Sequence, residues 1–221
     1  GGNPTLQPEK VFNVEAMMLY KWLNVSVGYK YLKDVMEWTK YIYPGKEFAY
    51  NTSLNFDHKQ LLYASVNVSP KLGIFRPTWG FNYNQQFFDT RKYGASKALS
   101  KPLLSCSLNN NFALSETMNA AIRLNASTTH ADGFLMMKSG YSVNLQFDKS
   151  FANRTWIIYL SANDIFKTAK ERWTMYGLGA GTTKDCYNYT RCISLQVTYN
   201  FNAKRSKYKG TGAGNEEKSR L

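Results

Sequence analysis

Residues 192–201 read CISLQVTYNF, and every second side chain is apolar: Ile193, Leu195, Val197, Tyr199 and Phe201 alternate with Cys192, Ser194, Gln196, Thr198 and Asn200. Successive side chains of a strand point to opposite faces, so this period of two describes a strand with one face in an apolar medium and one in a polar medium. In a soluble sandwich the apolar face looks into a core. In a membrane barrel it looks out at lipid, and the polar face lines a wet lumen. The remaining residues choose between the two.

Working back from that stretch, alternation defines nine candidate strands: residues 11–20, 23–33, 60–69, 76–87, 103–113, 118–127, 139–148, 155–165 and 191–201. Each has about the 9 to 11 residues that a tilted membrane strand needs. Leu23, Val25, Val27, Tyr29 and Tyr31 alternate with Asn24, Ser26, Gly28 and Lys30, and Tyr141, Val143, Leu145 and Phe147 alternate with Ser142, Asn144, Gln146 and Asp148. The connections alternate in length. Those at 21–22, 70–75, 114–117 and 149–154 are short, and those at 34–59, 88–102, 128–138 and 166–190 are long. Outer-membrane barrels sort their loops this way, with short turns in the periplasm and long loops outside.

Aromatic residues gather near the short-turn ends, with Trp22, Trp79 and Trp156 the candidate periplasmic girdle, accompanied by Tyr199 and Phe201 at the end of the closing strand. Two long loops read as carrying hairpin extensions of their own, residues 37–43 with 48–56 and residues 173–182. The polar faces place Glu15, Arg123, Asn125, Asn144 and Gln196 toward the lumen.

Composition agrees with two-faced strands. Aromatics make up 15% of the 221 residues, led by sixteen Tyr, and no run approaches the apolar length of a membrane helix. The formal charge of +13 first suggests nucleic acid, but the basic residues are dispersed through loops and a tail, with no recognition motif, so no nucleic-acid partner is expected. Basic loops suit the phosphate-rich outer leaflet of an outer membrane, whose lipid and lipopolysaccharide are the expected surroundings. Cys186 and Cys192 lie close enough in sequence to bridge, and spacing alone does not decide whether they do.

The catalytic inventory is poor. His58 and His130 stand in long loops without a neighbouring nucleophile, so an enzyme is not expected, and neither is a metal or cofactor. Of six Asn-x-Ser/Thr triplets several, at Asn24, Asn67 and Asn125, sit inside strands, where an amide- and hydroxyl-rich lumen face generates them by chance. Among the loop aromatics and cations, Tyr43, Tyr93, Arg91, Trp173 and Tyr187 are the ligand candidates at the external end. Rings beside polar groups suit sugars or chelates, and equally suit packing of one loop on another.

Nine antiparallel strands leave their two ends on opposite sides of a membrane, whereas bacterial single-chain barrels have an even count. The segment therefore reads as part of a larger barrel: residues 1–10 the rest of an external loop, 11–202 the barrel portion, and 203–221 a basic, disordered periplasmic tail. The opening GNPTLQPEKVFNVEAMMLYKWLNVSVGYKYLKD, residues 2–34, resembles a pattern found partway through the barrels of TonB-dependent outer-membrane receptors. TWIIYLSANDIFKT, residues 155–168, is similar to their penultimate strand, and RCISLQVTYNF, residues 191–201, to their closing strand. The basic tail ending in KSRL resembles that of the Bacteroidetes outer membrane protein β-barrel branch.

The resemblance implies an all-β, antiparallel transmembrane segment of a 22-stranded barrel in a Gram-negative outer membrane. It also implies a role in taking up a chelate, glycan or peptide. Its partners would be a plug domain and N-terminal strands not found in this sequence, the TonB complex acting through that plug, and the assembly machinery acting on the last strand. A small self-contained barrel or adhesin, and a soluble carbohydrate-binding β sandwich, are the competing readings.

Overall fold

The computed structural model of the chain describes residues 3–42, 45 and 47–201. Tyr43 and the 203–221 tail lie outside the described residues. The wall of the molecule is one antiparallel sheet of nine strands, in the order β1-β2-β3-β4-β5-β6-β9-β10-β13. These are β1 (Lys10–Tyr20), β2 (Leu23–Ile42), β3 (Ala49–Val68), β4 (Phe75–Phe87), β5 (Leu103–Ser115), β6 (Met118–Ser127), β9 (Gly140–Phe151), β10 (Trp156–Asn163) and β13 (Cys192–Tyr199). They are the nine strands that alternation predicts. The sheet is open, because β1 and β13 each pair on one side only among the described residues, so a closed 22-stranded ring is not what the structure contains.

Residues directly opposite in an antiparallel ladder share a face. One row therefore runs Met18, Val25, Val66, Phe81, Cys106, Ala126, Tyr141 across seven strands. The next row, one residue along, runs Met17, Ser26, Ser65, Asn82, Ser105, Ser127, Gly140. The first is apolar and the second, past Met17, small or polar. A slip of one residue in any ladder would exchange the two faces, which is what makes the register strict. Asn110 is an amide on the apolar face, and the Trp79 indole N–H donates to its Oδ1 at 2.9 Å. Pro77 sits beyond Val68↔Trp79, where pairing with β3 has ended, so its missing N–H breaks no ladder bond there.

The four short turns lie at one end of the wall, and the aromatic rings cluster there. Phe75 stacks on Phe112 at 5.1 Å between centroids, and Tyr199 lies 4.5 Å from both Trp156 and Phe201. Trp22 and Trp156 are exposed on this rim.

At the other end the chain builds a cap. β2 and β3 continue 20 residues each, confirming the hairpin extension expected there. Asp34, at φ 55, is skipped in their ladder, and the buried positions change phase at that point: Ser26 and Gly28 are even, Val35 and Thr39 odd. A left-handed residue rotates the strand, and the same hairpin then turns a different face inward.

A second sheet, ordered β12-β11-β8-β7, sits against it. It comprises β7 (His130–Asp132), β8 (Leu135–Met137), β11 (Lys170–Tyr176) and β12 (Gly181–Tyr187). The hairpin expected over 173–182 is thus longer than its alternation indicated, and the β7–β8 hairpin carries too few residues to show a period at all. The Leu178 N–H donates to Lys40 O at 2.7 Å and docks this sheet on the β2 extension.

The core lies in the cap. Val35, Phe56, Phe88, Ala95 and Phe134 form one buried cluster, and Leu99, Ala131 and Met136 another. Phe56 is the hub of the first, with Phe134 at 4.9 Å and Tyr93 at 4.8 Å. In the wall, Ala121 and Pro77 are the buried apolar side chains among the described residues.

Candidate functional site

The polar face of the wall carries all five lumen candidates in register. Arg123 lies directly opposite Asn144, Asn125 opposite Ser142, Gln196 opposite Tyr159, and Glu15 opposite Gly28. Local hydrogen bonds organise this face. Ser26 and Ser65 hydroxyls meet at 2.9 Å, and the Asn119 amide donates to Asp148 Oδ2 at 2.8 Å. Tyr63 crosses β2 to donate to Asn13 Oδ1 at 2.9 Å, with Glu15 Oε2 at 3.4 Å. That crossing requires Gly28, since a Cβ there would collide with the Tyr63 ring. Asn144 differs from the other four in that its Oδ1 accepts the Asp164 N–H at 2.8 Å, so this side chain anchors a loop as well as lying on the polar face.

The external-loop candidates do not form one platform. Tyr93 belongs to the first cluster, its ring packed on Phe56 and Phe88, so it holds loop to hairpin in place of offering an open face. Arg91 stands exposed in the short 3-10 turn Thr90–Tyr93. Trp173 and Tyr187 belong instead to the second sheet. The Trp173 indole donates to Glu171 Oε1 at 2.9 Å, and the Tyr187 hydroxyl accepts the Arg191 N–H at 2.8 Å. Trp156 and Tyr199 pack together at the short-turn end, where Phe201 follows β13, while Trp22 lies in the β1–β2 turn and Trp79 stands opposite Leu108 on the apolar face.

Several organising residues escape a reading by alternation. Asp164, 2% exposed, is the acid of the Asn-Asp-Ile-Phe stretch. Its Oδ1 accepts the Thr168 and Ala169 N–H groups at 2.8 and 3.1 Å, and its Oδ2 accepts the Thr190 hydroxyl at 2.8 Å. Burial alone would raise this carboxyl, but hydrogen bonds from Thr190, Thr168, Ala169 and Tyr187 outweigh it and hold the group below its ordinary range. The result is a knot tying the exit of β10 to the entry of β11 and β13.

Gln86 does the same elsewhere: its amide donates to Leu99 O at 2.7 Å and accepts the Gly133 N–H at 2.8 Å. Glu37 pairs with Lys59 at 2.6 Å under the β7–β8 turn, and Gly133, at φ 53, is required because a Cβ there would strike the Glu37 carboxylate. Burial pushes Glu37 above the usual carboxylate range against the lowering by Lys59.

In the opening segment, Asn55 brackets the Gln7 backbone, accepting its N–H at 2.7 Å and donating to its C=O at 2.8 Å, while Glu9 accepts the Met36 N–H at 2.5 Å. The opening motif is thus held along the long-loop end.

Chemically, the polar face offers hydroxyls and amides to water, and among the described residues no group of three His, Cys, Asp or Glu is placed to hold a metal. Cys106, Cys186 and Cys192 are free thiols. The sequence profile described as the Outer membrane protein beta-barrel family matches residues 1–199. Among solved structures, OmpT (in-vitro folded), an outer membrane protein of Vibrio cholerae, is similar at 11% identity with a TM-score of 0.48, over 86% of this chain and 55% of that one. The chain therefore spans a little over half the length of that structure. No curated protein matches it in sequence.

Proposed function

This chain belongs to the outer membrane protein beta-barrel family and resides in the outer membrane, and from that premise we propose that it is the C-terminal barrel portion of a TonB-dependent receptor that takes up a nutrient. The observation that carries the reading is the pair of open ladders on β1 and β13. In hydrocarbon an unpaired backbone group costs several kcal/mol, on the order of the full desolvation penalty, so a spanning sheet must close. Nine strands whose polar face is rich in hydroxyls and amides are suited to enclosing a hydrated space once further strands complete the circle. A 22-stranded ring with a plug would supply those strands and give Glu15, Arg123, Asn125 and Gln196 a partner surface. The cap would then stand outside as the ligand-meeting end.

Immunoblotting of native outer membranes with an antibody against the β9–β10 hairpin tests this. A polypeptide several times the chain's 25.3 kDa, cross-linking to TonB, supports the receptor reading. A heat-modifiable band at the chain's own mass overturns it in favour of a small self-contained barrel.

A further inference from the structure

A cavity of about 510 Å³ opens between the loop-side ends of β6 and β9 and the segment that enters β11. Ser127, Ser139, Tyr141, Lys167, Lys170 and Arg172 are on its lining, and no carboxylate is. None of the three cations makes an ion pair among the described residues. Asp185, directly opposite Arg172 in the ladder, does not pair with it. Glu171 lines an adjoining hollow that shares Ser127, Tyr141 and Lys170 with this one, and its carboxylate is engaged by Lys184 at 2.7 Å, Trp173 at 2.9 Å and Asn188 at 3.1 Å.

Arg172 is held in place. β11 is flanked by β8 and β12, and the guanidinium Nη2 donates to Ser139 O at 2.7 Å. Its Nε is buried without a hydrogen-bond partner. That Nε–H lies out of reach of the cavity, so the other N–H groups of this anchored guanidinium are the ones that can meet an anionic oxygen there. The Asp164 knot sets the approach of the two lysines, because the Lys167 N–H donates to Asp164 O at 2.9 Å and Ala169 is tied to Asp164 Oδ1. Lys167 Nζ lies 5.3 Å from the centre of the Tyr187 ring.

We propose that this cavity is an oxyanion site that takes a phosphate or phosphate ester, with Arg172 supplying an oriented donor and Lys167 and Lys170 supplying exposed charge. The site goes beyond the receptor reading and does not depend on it, since a phosphate held here could come from a soluble ester or from a phosphorylated lipid headgroup at the membrane rim.

The test is calorimetric titration of the full chain in neutral detergent with inorganic phosphate, against chloride at matched ionic strength. A parallel arm uses phosphatidylcholine vesicles with and without lipid A. Saturable heat with phosphate supports a soluble ester, and saturation confined to lipid A vesicles supports the headgroup as source of the same group. Lys167→Gln and Lys170→Gln, both exposed, should each weaken binding about threefold without disturbing the fold. Arg172→Gln should weaken it about tenfold. Lys71→Gln, at a short turn on the opposite end, controls for net charge and should change nothing. Absence of saturation in both arms, an unchanged affinity in the Lys167→Gln/Lys170→Gln double variant, or an equal loss in Lys71→Gln overturns the proposal.

Discussion

Strand β2 passes through two environments, and its halves are stabilised in different ways. Below Asp34 its apolar side chains, like those of the whole wall, remain open. Met18 is 53% exposed and Phe81 45%, although every neighbour in their row is apolar. Above Asp34 the same strand contributes Val35 to a cluster around Phe134, which is 0% exposed. By the standard of a soluble protein the wall is unfinished, since a contiguous apolar surface of this extent marks a surface meant for another phase. The cap has a core of its own, held by aromatic packing at the first cluster and hydrogen-bonded knots at Asp164 and Gln86, and leaves Arg172 Nε without a partner. Exposure in the wall is thus a record of the solvent, whereas burial in the cap is a record of contacts.

Substitutions can break this contrast. The largest effect is expected from Phe134→Ala, which should cost the cap about 3 to 5 kcal/mol. Hydrogen exchange should show cap amides opening while wall amides keep their protection. Equal loss in both would mean that wall and cap unfold as one unit and the contrast fails. Next, Phe81→Arg on the apolar face should cost about 2 to 4 kcal/mol in a bilayer, near the middle of the wall, and much less in detergent. Urea unfolding in vesicles against micelles reads that difference, and identical values would argue that Phe81 faces protein.

A smaller loss, about 1 to 3 kcal/mol, is expected for Gln86→Ala, which leaves the Gly133 N–H and Leu99 C=O without partners inside the cap. Proteolysis within residues 94–102 should then accelerate while the wall stays intact.

The smallest effect is pH-dependent, and its sign differs across the cap. Glu171 is lowered to about 2, chiefly by its bond from Lys184, so its contribution is complete above its ordinary 4.5 and is lost as pH falls toward about 2. Glu37 is raised by burial, so the folded state binds the proton more tightly than the unfolded one, and its contribution falls as pH rises from 4.5 through the raised value. Acid should therefore loosen the β11–β12 hairpin before the Glu37–Lys59 region. Glu37→Gln should abolish the second response and leave the first, as read by exchange rates across that pH range.

The nine wall strands and the end at which the turns are short were legible because lipid and water each act on one face at a time. Every residue from Leu23 to Tyr31 then reports its own environment. The β2–β3 extension was legible for the same reason, up to the phase change that Asp34 introduces. The β7–β8 hairpin was not, because Ala131 and Met136 are buried by partners from distant segments. Tyr93 illustrates the limit most clearly: from composition it suits a ligand platform and loop packing equally, and contact with Phe56 and Phe88 assigns it to packing. Asp164 was visible as part of a short motif, yet nothing local announces that Thr190, 26 residues on, completes its hydrogen bonds.

By itself the sequence determined that this protein is a two-faced antiparallel sheet, because a period of two repeated in nine segments needs no knowledge of which strand pairs with which. The tertiary structure alone decided which loops share a core, that Gly133 must be glycine above Glu37, and that Lys167, Lys170 and Arg172 line one cavity. Those facts depend on contacts between residues far apart in the chain, which periodicity does not encode.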